Sequence, residues 1–268
     1  GLREGEVTIG EQLLETIICE YTREAGVRGL ERELGTLLRK TATSVATADD
    51  GEKVELTLEM IREALGRQKV FSESAARTAV PGVATGLAVT GAGGDVLFVE
   101  ASAMDSGGSG QLTLTGQLGD VMKESAQIAL TYVRAHADEL GIASDAFEKR
   151  EFHLHVPAGA TPKDGPSAGI AMTTALVSLL TGRAVRHDVG MTGEVTLQGR
   201  VLPIGGLKQK ALAAHAAGLT DVILPERNRG DLDDIPEEIR EQMAFHPVMT
   251  IDEVLELALE PAVKAAKL

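Results

Sequence analysis

A serine between two glycines is the first feature of this sequence that could carry out chemistry. Ser167 lies in the stretch PKDGPSAG, which contains Gly165-x-Ser167-x-Gly169. In α/β-hydrolases this spacing marks a serine nucleophile at a sharp strand-to-helix turn, but a serine among small residues is also typical of a helix start. The question is therefore whether Ser167 is a nucleophile and, if it is, which side chain accepts its proton.

Two common interpretations of this motif fit its surroundings poorly. A phosphate-binding P-loop is excluded because Pro166 stands where that motif requires lysine. An α/β-hydrolase turn requires a strand that leads directly into the first glycine, whereas here the polar segment PAGATPKDGP follows the strand-like EFHLHV. The acid and the histidine of a triad would have to be Asp188 and either His215 or His246, and none of them stands in a distinctive setting. The hydrolase stays as an alternative.

A lysine is the other side chain that could accept the proton. Lysine is a base near neutral pH only when burial or a positive neighbour lowers its pKa from about 10.4 by roughly 2–3 units. The segment GGLKQKALAAHAAG offers Lys208 and Lys210. On a helical wheel Lys210 lies beside the small-residue face, whereas Lys208 lies beside His215. The wheel favours Lys210, and two solvated lysines at a helix start are the alternative.

The composition indicates a globular protein without affinity for nucleic acid or membranes. The 268 residues carry a net charge of −14, which opposes binding to a phosphate backbone, and 43% of them are apolar. The longest apolar stretch, at 168–182, is too short for a membrane span and predicts a buried helix. The single cysteine, Cys19, fits a reducing compartment and a buried helical thiol. Because the sequence begins without Met, we expect a fragment or a processed product.

Hydrophobic patterning divides the chain into a helical part and a mixed part. Residues 1–70 predict a small helical bundle with little β-structure, in which Thr57 caps the last helix. Residues 71–83 have no sustained period and predict a linker. Strand-like and helical segments share residues 84–268, where VGMTGEVTLQGRVLPIGG predicts a hairpin. The predicted fold class is α+β, a small N-terminal helical bundle followed by an α+β domain.

Four long segments resemble the ATP-dependent Lon proteases of the bacterial type. PKDGPSAGIAMTTALVSLLTGR, MTGEVTLQGRVLPIGGLKQKALAAHAAGL and VILPERNRGDLDDIP are similar to the Lon proteolytic domain. YTREAGVRGLERELGTLLRK is similar to the small helical (alpha) subdomain of the Lon AAA+ module. The resemblance implies that subdomain at 1–70 and a Lon-type serine protease domain at 84–268. It also implies an ATP-dependent endopeptidase that uses a Ser–Lys dyad to hydrolyse unfolded or damaged proteins.

The resemblance also implies roles for individual residues. Ser167 would be the nucleophile, with its backbone N–H as an oxyanion donor, and Lys210 would be the base. Thr192 would hydrogen-bond the lysine amine and position it. Asp164 would be a latch that engages the lysine or blocks the site, with an ordinary turn-forming aspartate as the alternative. Arg28 matches the sensor arginine that reaches the γ-phosphate of ATP bound to the large AAA+ subdomain.

The same resemblance sets expectations for cofactors, partners and location. Peptide hydrolysis is expected to need no cofactor, and ATP and Mg²⁺ are expected only in the full-length enzyme, because the sequence contains no Walker motif. Unfolded proteins or peptides are the expected substrates of a cytoplasmic homo-hexamer. His153 and His155 share one strand face and could bind Zn²⁺, but no third ligand is evident and a structural role is expected. The alternative function is a catalytically silent Lon-fold assembly scaffold.

Overall fold

The computed structural model describes residues 2–3, 5–22, 27–47, 53–69, 78–91, 93–105, 111–148, 150–158 and 161–261. Most of the predicted linker, residues 71–77, lies outside them. Two compact units make up the chain, Gly1–Ser72 with Gly91–Gly93, and Glu73–Thr90 with Gly94–Leu268. Within the described residues, no helix combines the length and the apolar character that crossing a membrane requires. The fold class is α+β, as predicted.

Three helices, counted over the described residues, form the N-terminal unit: α1 (Glu11–Tyr21), α2 (Arg28–Thr47) and α3 (Leu58–Leu65). Their apolar faces share a core in which Ile17, Leu37 and Ile61 are fully buried. Cys19 of α1 is exposed, so the buried thiol predicted there is wrong. Thr57 caps α3 as predicted, because its hydroxyl accepts the N–H of Met60 at 3.3 Å. A short parallel pair, β1 (Val7–Thr8) and β2 (Val54–Glu55), accompanies the helices.

A mixed sheet of seven strands, counted over the described residues, is the centre of the second unit. The strands are β3 (Val83–Thr90), β4 (Gly93–Asp105), β5 (Leu112–Thr115), β6 (Arg150–His155), β7 (Val189–Met191), β10 (Asp221–Pro225) and β11 (Ala244–Val248). They lie in the order β11-β10-β7-β3-β4-β6-β5. The pairs β3–β7, β7–β10, β10–β11 and β5–β6 are parallel, and β4–β6 is antiparallel.

Helices pack against this sheet and build most of the core. They are α4 (Asp120–Ala135), α5 (Gly169–Thr181), α6 (Leu207–Ala216), α7 (Glu237–Gln242) and α8 (Ile251–Ala258). Every residue of α5 from Gly169 to Ser178 is buried, which confirms the helix predicted for the longest apolar stretch. Met172 and Leu176 of α5 share one core with Val133 of α4 and Phe152 of β6. The helix that follows Ser167 is therefore enclosed by protein from Gly169 to Ser178.

The hairpin predicted over VGMTGEVTLQGRVLPIGG is wrong in its first strand. β8 (Glu194–Val195) and β9 (Val201–Leu202) form a short antiparallel pair. β7, which carries the first residues of the segment, instead lies between β3 and β10 and runs parallel to both. Thr192 directly follows β7. Its position is thus set by the central strands of the large sheet, and α7 and β11 are further elements that the sequence did not predict.

Candidate active site

Ser167 lies in a short helical turn between β6 and α5. Gly165 has a φ of +125°, a conformation that favours glycine, and the 3-10 turn Pro166–Ala168 then leads into α5. Residues 156–165 separate β6 from this turn, so Ser167 does not stand at a sharp strand-to-helix elbow. The residue is half-buried. Its hydroxyl therefore lies at the N-terminal end of a buried helix, where backbone N–H groups lack helical partners.

Gly169 allows α5 to approach the segment at 192–195. A Cβ at Gly169 would lie 2.9 Å from the backbone nitrogen of Val195, closer than such atoms pack. The two segments are also joined by a hydrogen bond from the N–H of Gly193 to the carbonyl oxygen of Ser167, at 2.9 Å. Backbone contacts therefore fix the serine turn beside the end of β7.

Lys210 is the lysine that the fold buries. It is the fourth residue of α6 and is 3% exposed, whereas Lys208 is exposed to solvent. Burial lowers the pKa of Lys210 from 10.5 to about 8, and among the described residues no carboxylate pairs with the amine to oppose this. About one tenth of the lysine is then neutral at pH 7, compared with well under a thousandth for a solvated lysine. The environment makes Lys210 a usable base.

Thr192 lies between the lysine and the serine. Thr192 is fully buried, and Lys210 Nζ donates a hydrogen bond to its Oγ1 at 3.0 Å. The same Oγ1 lies 3.5 Å from the carbonyl oxygen of Ser167, to which it donates. In the described part of the chain, no hydrogen bond joins Lys210 directly to Ser167. A buried amine, a hydroxyl and the serine backbone thus form one chain of polar contacts in an apolar setting.

The histidines of the hydrolase alternative have other partners. His215 Nε2 lies 2.8 Å from Gln242 Oε1, and His246 Nε2 lies 2.7 Å from Asp221 Oδ1. Asp188 pairs with Arg186 at 2.8 Å rather than with a histidine. No histidine among the described residues is hydrogen-bonded to Ser167. The structure does not assemble a Ser-His-Asp triad around the serine.

Comparison with known proteins agrees with this lysine-based geometry. A family model described as the Lon protease (S16) C-terminal proteolytic domain matches residues 55–261, and one of the Lon protease AAA+ ATPase lid domain matches residues 1–54. The chain belongs to the Lon protease family. Its relatives include the Lon proteases of Salinispora arenicola (61% identical over 98% of this chain), Frankia alni (60% over 99%) and Mycolicibacterium smegmatis (56% over 99%). The chain spans 33%, 30% and 34% of their lengths, about a third of each.

Asp164, the predicted latch of this Lon-family site, lies against the start of α4. Its Oδ1 accepts hydrogen bonds from the N–H of Met122 at 3.0 Å and of Gly165 at 2.9 Å. A side chain at Gly119 would overlap the Asp164 carboxylate, so the close approach depends on glycine there. In this structure Asp164 connects the serine loop to α4. Its action on Lys210 remains a prediction.

Two further candidate sites involve residues other than the dyad. Arg28 is the first residue of α2 in the N-terminal unit and is exposed, and its contact to a nucleotide phosphate remains a prediction. His153 Nε2 and His155 Nδ1 both lie within hydrogen-bonding distance of Thr115 Oγ1, at 2.8 and 2.7 Å. Over the described residues, no three His, Cys, Asp or Glu side chains form a cluster that could hold a metal ion.

The sequence alone assigns no role to Lys163, a half-buried residue in the loop that leads to Ser167. Its ammonium donates to the backbone carbonyls of Gly116, Ala158 and Thr161. The lysine itself is visible in PKDG. Its partner Gly116 lies 47 residues away along the chain, so no local pattern could have revealed the contact.

Proposed function

We propose that this chain is the peptide-hydrolysing part of a Lon protease, a serine endopeptidase with Ser167 as nucleophile and Lys210 as base. One observation carries the proposal. Lys210 is buried with a pKa near 8, and its amine contacts Thr192, whose hydroxyl reaches the backbone of Ser167. Membership in the Lon family supports the reaction class. The site and the family therefore favour the same chemistry.

Ser167 attacks the peptide bond, and Lys210 moves the protons. Neutral Lys210 accepts the hydroxyl proton as Ser167 Oγ attacks the peptide carbonyl carbon. The negative oxygen of the tetrahedral intermediate is stabilised by the backbone N–H of Ser167 at the helix start. The Lys210 ammonium then protonates the leaving amine, and an acyl-enzyme remains. Water attacks this ester while Lys210 again accepts a proton, which returns to Ser167 Oγ when the product carboxylate leaves.

Thr192 and Asp164 would control when the dyad is formed. Lys210 Nζ donates to Thr192 Oγ1 in this structure, and catalysis requires its lone pair to face Ser167 Oγ. We infer that the neutral amine turns its lone pair toward Ser167 Oγ while it keeps donating one N–H to Thr192 Oγ1. Asp164 holds the serine loop against α4 through the N–H of Met122. Release of that contact is the movement by which Asp164 would act as a latch.

In the full-length enzyme, the substrates would be unfolded or damaged proteins. A AAA+ module would unfold them with ATP and Mg²⁺, with Arg28 reaching the γ-phosphate, in a cytoplasmic homo-hexamer. The match of residues 1–54 to the Lon lid domain and the threefold greater length of the relatives support this assignment. Peptide hydrolysis itself would need only the side chains of the second unit.

Cleavage of an unstructured fluorogenic peptide tests the dyad. Ser167→Ala and Lys210→Ala should each lower kcat by at least about 100-fold, since each removes a group that acts directly in the reaction. His215→Ala and Lys208→Ala should stay within about twofold of wild type, because His215 is paired with Gln242 rather than with Ser167 and Lys208 is exposed. Retained cleavage by Lys210→Ala would contradict the dyad. Loss of cleavage in Ser167→Ala and His215→Ala but not in Lys210→Ala would restore the triad. An assembled wild type without cleavage would favour the scaffold.

A further inference from the structure

All three donors of the Lys163 ammonium are used by backbone carbonyls. Nζ lies 2.9 Å from the oxygen of Gly116, 2.8 Å from that of Ala158 and 3.1 Å from that of Thr161. A protonated lysine has three N–H groups, so the set is complete. Among the described residues, no carboxylate forms an ion pair with this ammonium. The positive charge is therefore directed at the backbone of two loops.

Main-chain contacts join the same two loops. The N–H of Lys163 donates to the carbonyl of Gln117 at 2.9 Å, and its carbonyl accepts the N–H of Gly119 at 2.7 Å. The next residue, Asp164, accepts the N–H of Met122 through its side chain. Residues 163–164 thus bind segment 116–122, which leads into α4, immediately before the turn that contains Ser167.

The backbone is strained at both ends of this set of contacts. Gln117 and Ala158, with φ of 59° and 67°, are the non-glycine residues with positive φ among those that the structure describes. Residues without special side chains rarely adopt this conformation, and it persists only where surrounding contacts enforce it. Both residues bond directly to Lys163, Gln117 through the main-chain N–H and Ala158 through the ammonium. The lysine is therefore placed to hold the strained geometry.

We propose that Lys163 is a positioning residue for catalysis, which fixes the serine loop by binding three carbonyls and so holds Ser167 in the geometry that Lys210 requires. The proposal rests on the proposed function of Ser167 and Lys210. A small displacement of a nucleophile from its base lowers the rate of the chemical step more than it lowers the affinity for substrate. Loss of the ammonium should therefore lower kcat and leave KM nearly unchanged. Substitution of a residue with a merely structural role would lower stability without a selective loss of kcat.

Substitutions at Lys163 that remove donors in steps provide the kinetic test. Lys163→Met keeps an unbranched apolar chain as far as Cε without any donor, Lys163→Gln keeps two donors, and Lys163→Arg keeps a charged donor set. We expect kcat for peptide cleavage to increase in the order Met, Gln, Arg, wild type, with about a 10- to 100-fold loss in Lys163→Met. KM should stay within about twofold. Lys123→Met, at an exposed lysine paired with Asp120, is the matched control and should match wild type.

Hydrogen exchange tests the contacts independently of activity. Lys163→Met should speed the exchange of amides in 116–122 and 161–167, while amides in α6 keep their wild-type rates. Wild-type kcat in Lys163→Met, or a loss of kcat without faster exchange in both segments, would overturn the proposal. If Lys163→Met does not fold, wild-type kcat in Lys163→Gln would overturn the proposal instead. Cleavage that survives Ser167→Ala would reject the proposed function instead, and the exchange rates would still decide whether Lys163 holds the loops.

Discussion

At the scale of single residues, the same burial that makes Lys210 useful also makes it costly. The side chain is 3% exposed, and desolvation alone lowers its pKa to about 8. Removing a charged amine from water destabilises the folded state unless a counter-charge compensates. Thr192 supplies one neutral acceptor. The catalytic role proposed for Lys210 and the stability of the folded state therefore make opposite demands on this residue.

The pH dependence of cleavage should report the ionisation of Lys210. Only the neutral amine accepts a proton, so kcat/KM for a peptide should rise with pH through an apparent pKa near 8. Between pH 6 and pH 8 the neutral fraction grows from about 1% to about 50%, which predicts a rise of roughly 50-fold. Steady-state rates from pH 6 to 9.5 measure it, with Lys208→Ala as the control. A flat profile would exclude Lys210 as the base.

Replacing Lys210 by methionine should stabilise the protein while abolishing cleavage. The folded pKa of about 8 lies below the unfolded value of 10.5, so the unfolded state binds more protons between these values. The penalty is present in full below pH 8 and is relieved as the pH rises toward 10.5. At pH 7 Lys210→Met should raise the free energy of unfolding by about 3 kcal/mol, measured by urea denaturation. Lys208→Met should change it by less than about 0.5 kcal/mol, and a destabilised Lys210→Met would contradict the argument.

At the scale of helices and strands, local patterns predicted elements but not their pairing. The apolar run that became α5 and the capped helix α3 could be read from periodicity and from Thr57, because both depend on neighbouring residues. The local pattern places β7 in a hairpin, because its true parallel partners are distant in the sequence. β11 contains Pro247, which weakens a strand pattern and is tolerated because β11 lies at the edge of the sheet.

The residues of the candidate site also differ in whether the local sequence could predict their roles. Ser167 stands in a visible motif, and the helical wheel alone favoured the lysine that proved to be buried, because both signals are local. The contacts of Lys163 and Asp164 with segment 116–122 join residues more than 40 positions apart. Nothing in the local sequence encodes such proximity. The groups that could act in the reaction were thus predictable, whereas those that hold the loop were not.

Gly169 gives a test of how closely α5 must approach β8. In Gly169→Ala the new Cβ would lie 2.9 Å from the backbone nitrogen of Val195, so helix or strand must shift. We expect a loss of about 1–3 kcal/mol in the free energy of unfolding, together with lower peptide cleavage because Ser167 and Thr192 lie on the two displaced segments. Thermal unfolding and peptide kinetics measure both effects. Gly230→Ala is the control, because no neighbouring atom lies within 4 Å of the Cβ that it adds. Equal behaviour of the two variants would show that the contact between α5 and Val195 is not tight.

At the scale of the whole molecule, the residues proposed for hydrolysis belong to one unit. Ser167, Lys210, Thr192 and Asp164 all lie in the unit formed by Glu73–Thr90 and Gly94–Leu268, which has its own core. Arg28, the proposed contact to nucleotide, lies in the N-terminal unit. The chemistry of peptide cleavage and the proposed response to ATP are therefore carried by different parts of the chain.

This separation predicts that the chain cleaves peptides without nucleotide or metal. Ser167 and Lys210 supply the nucleophile and the base, so no step of the proposed reaction needs a Lewis acid or a phosphate. The rate on an unstructured peptide should be unchanged by EDTA and by ATP with Mg²⁺, while a stably folded protein should resist cleavage because its peptide bonds cannot extend into the site. Parallel assays on a peptide, a folded protein and the same protein after denaturation measure this. Loss of peptide cleavage in EDTA, with recovery on added metal, would mean that the dyad does not act alone. Rapid cleavage of the folded protein would mean that the site needs no prior unfolding of its substrate.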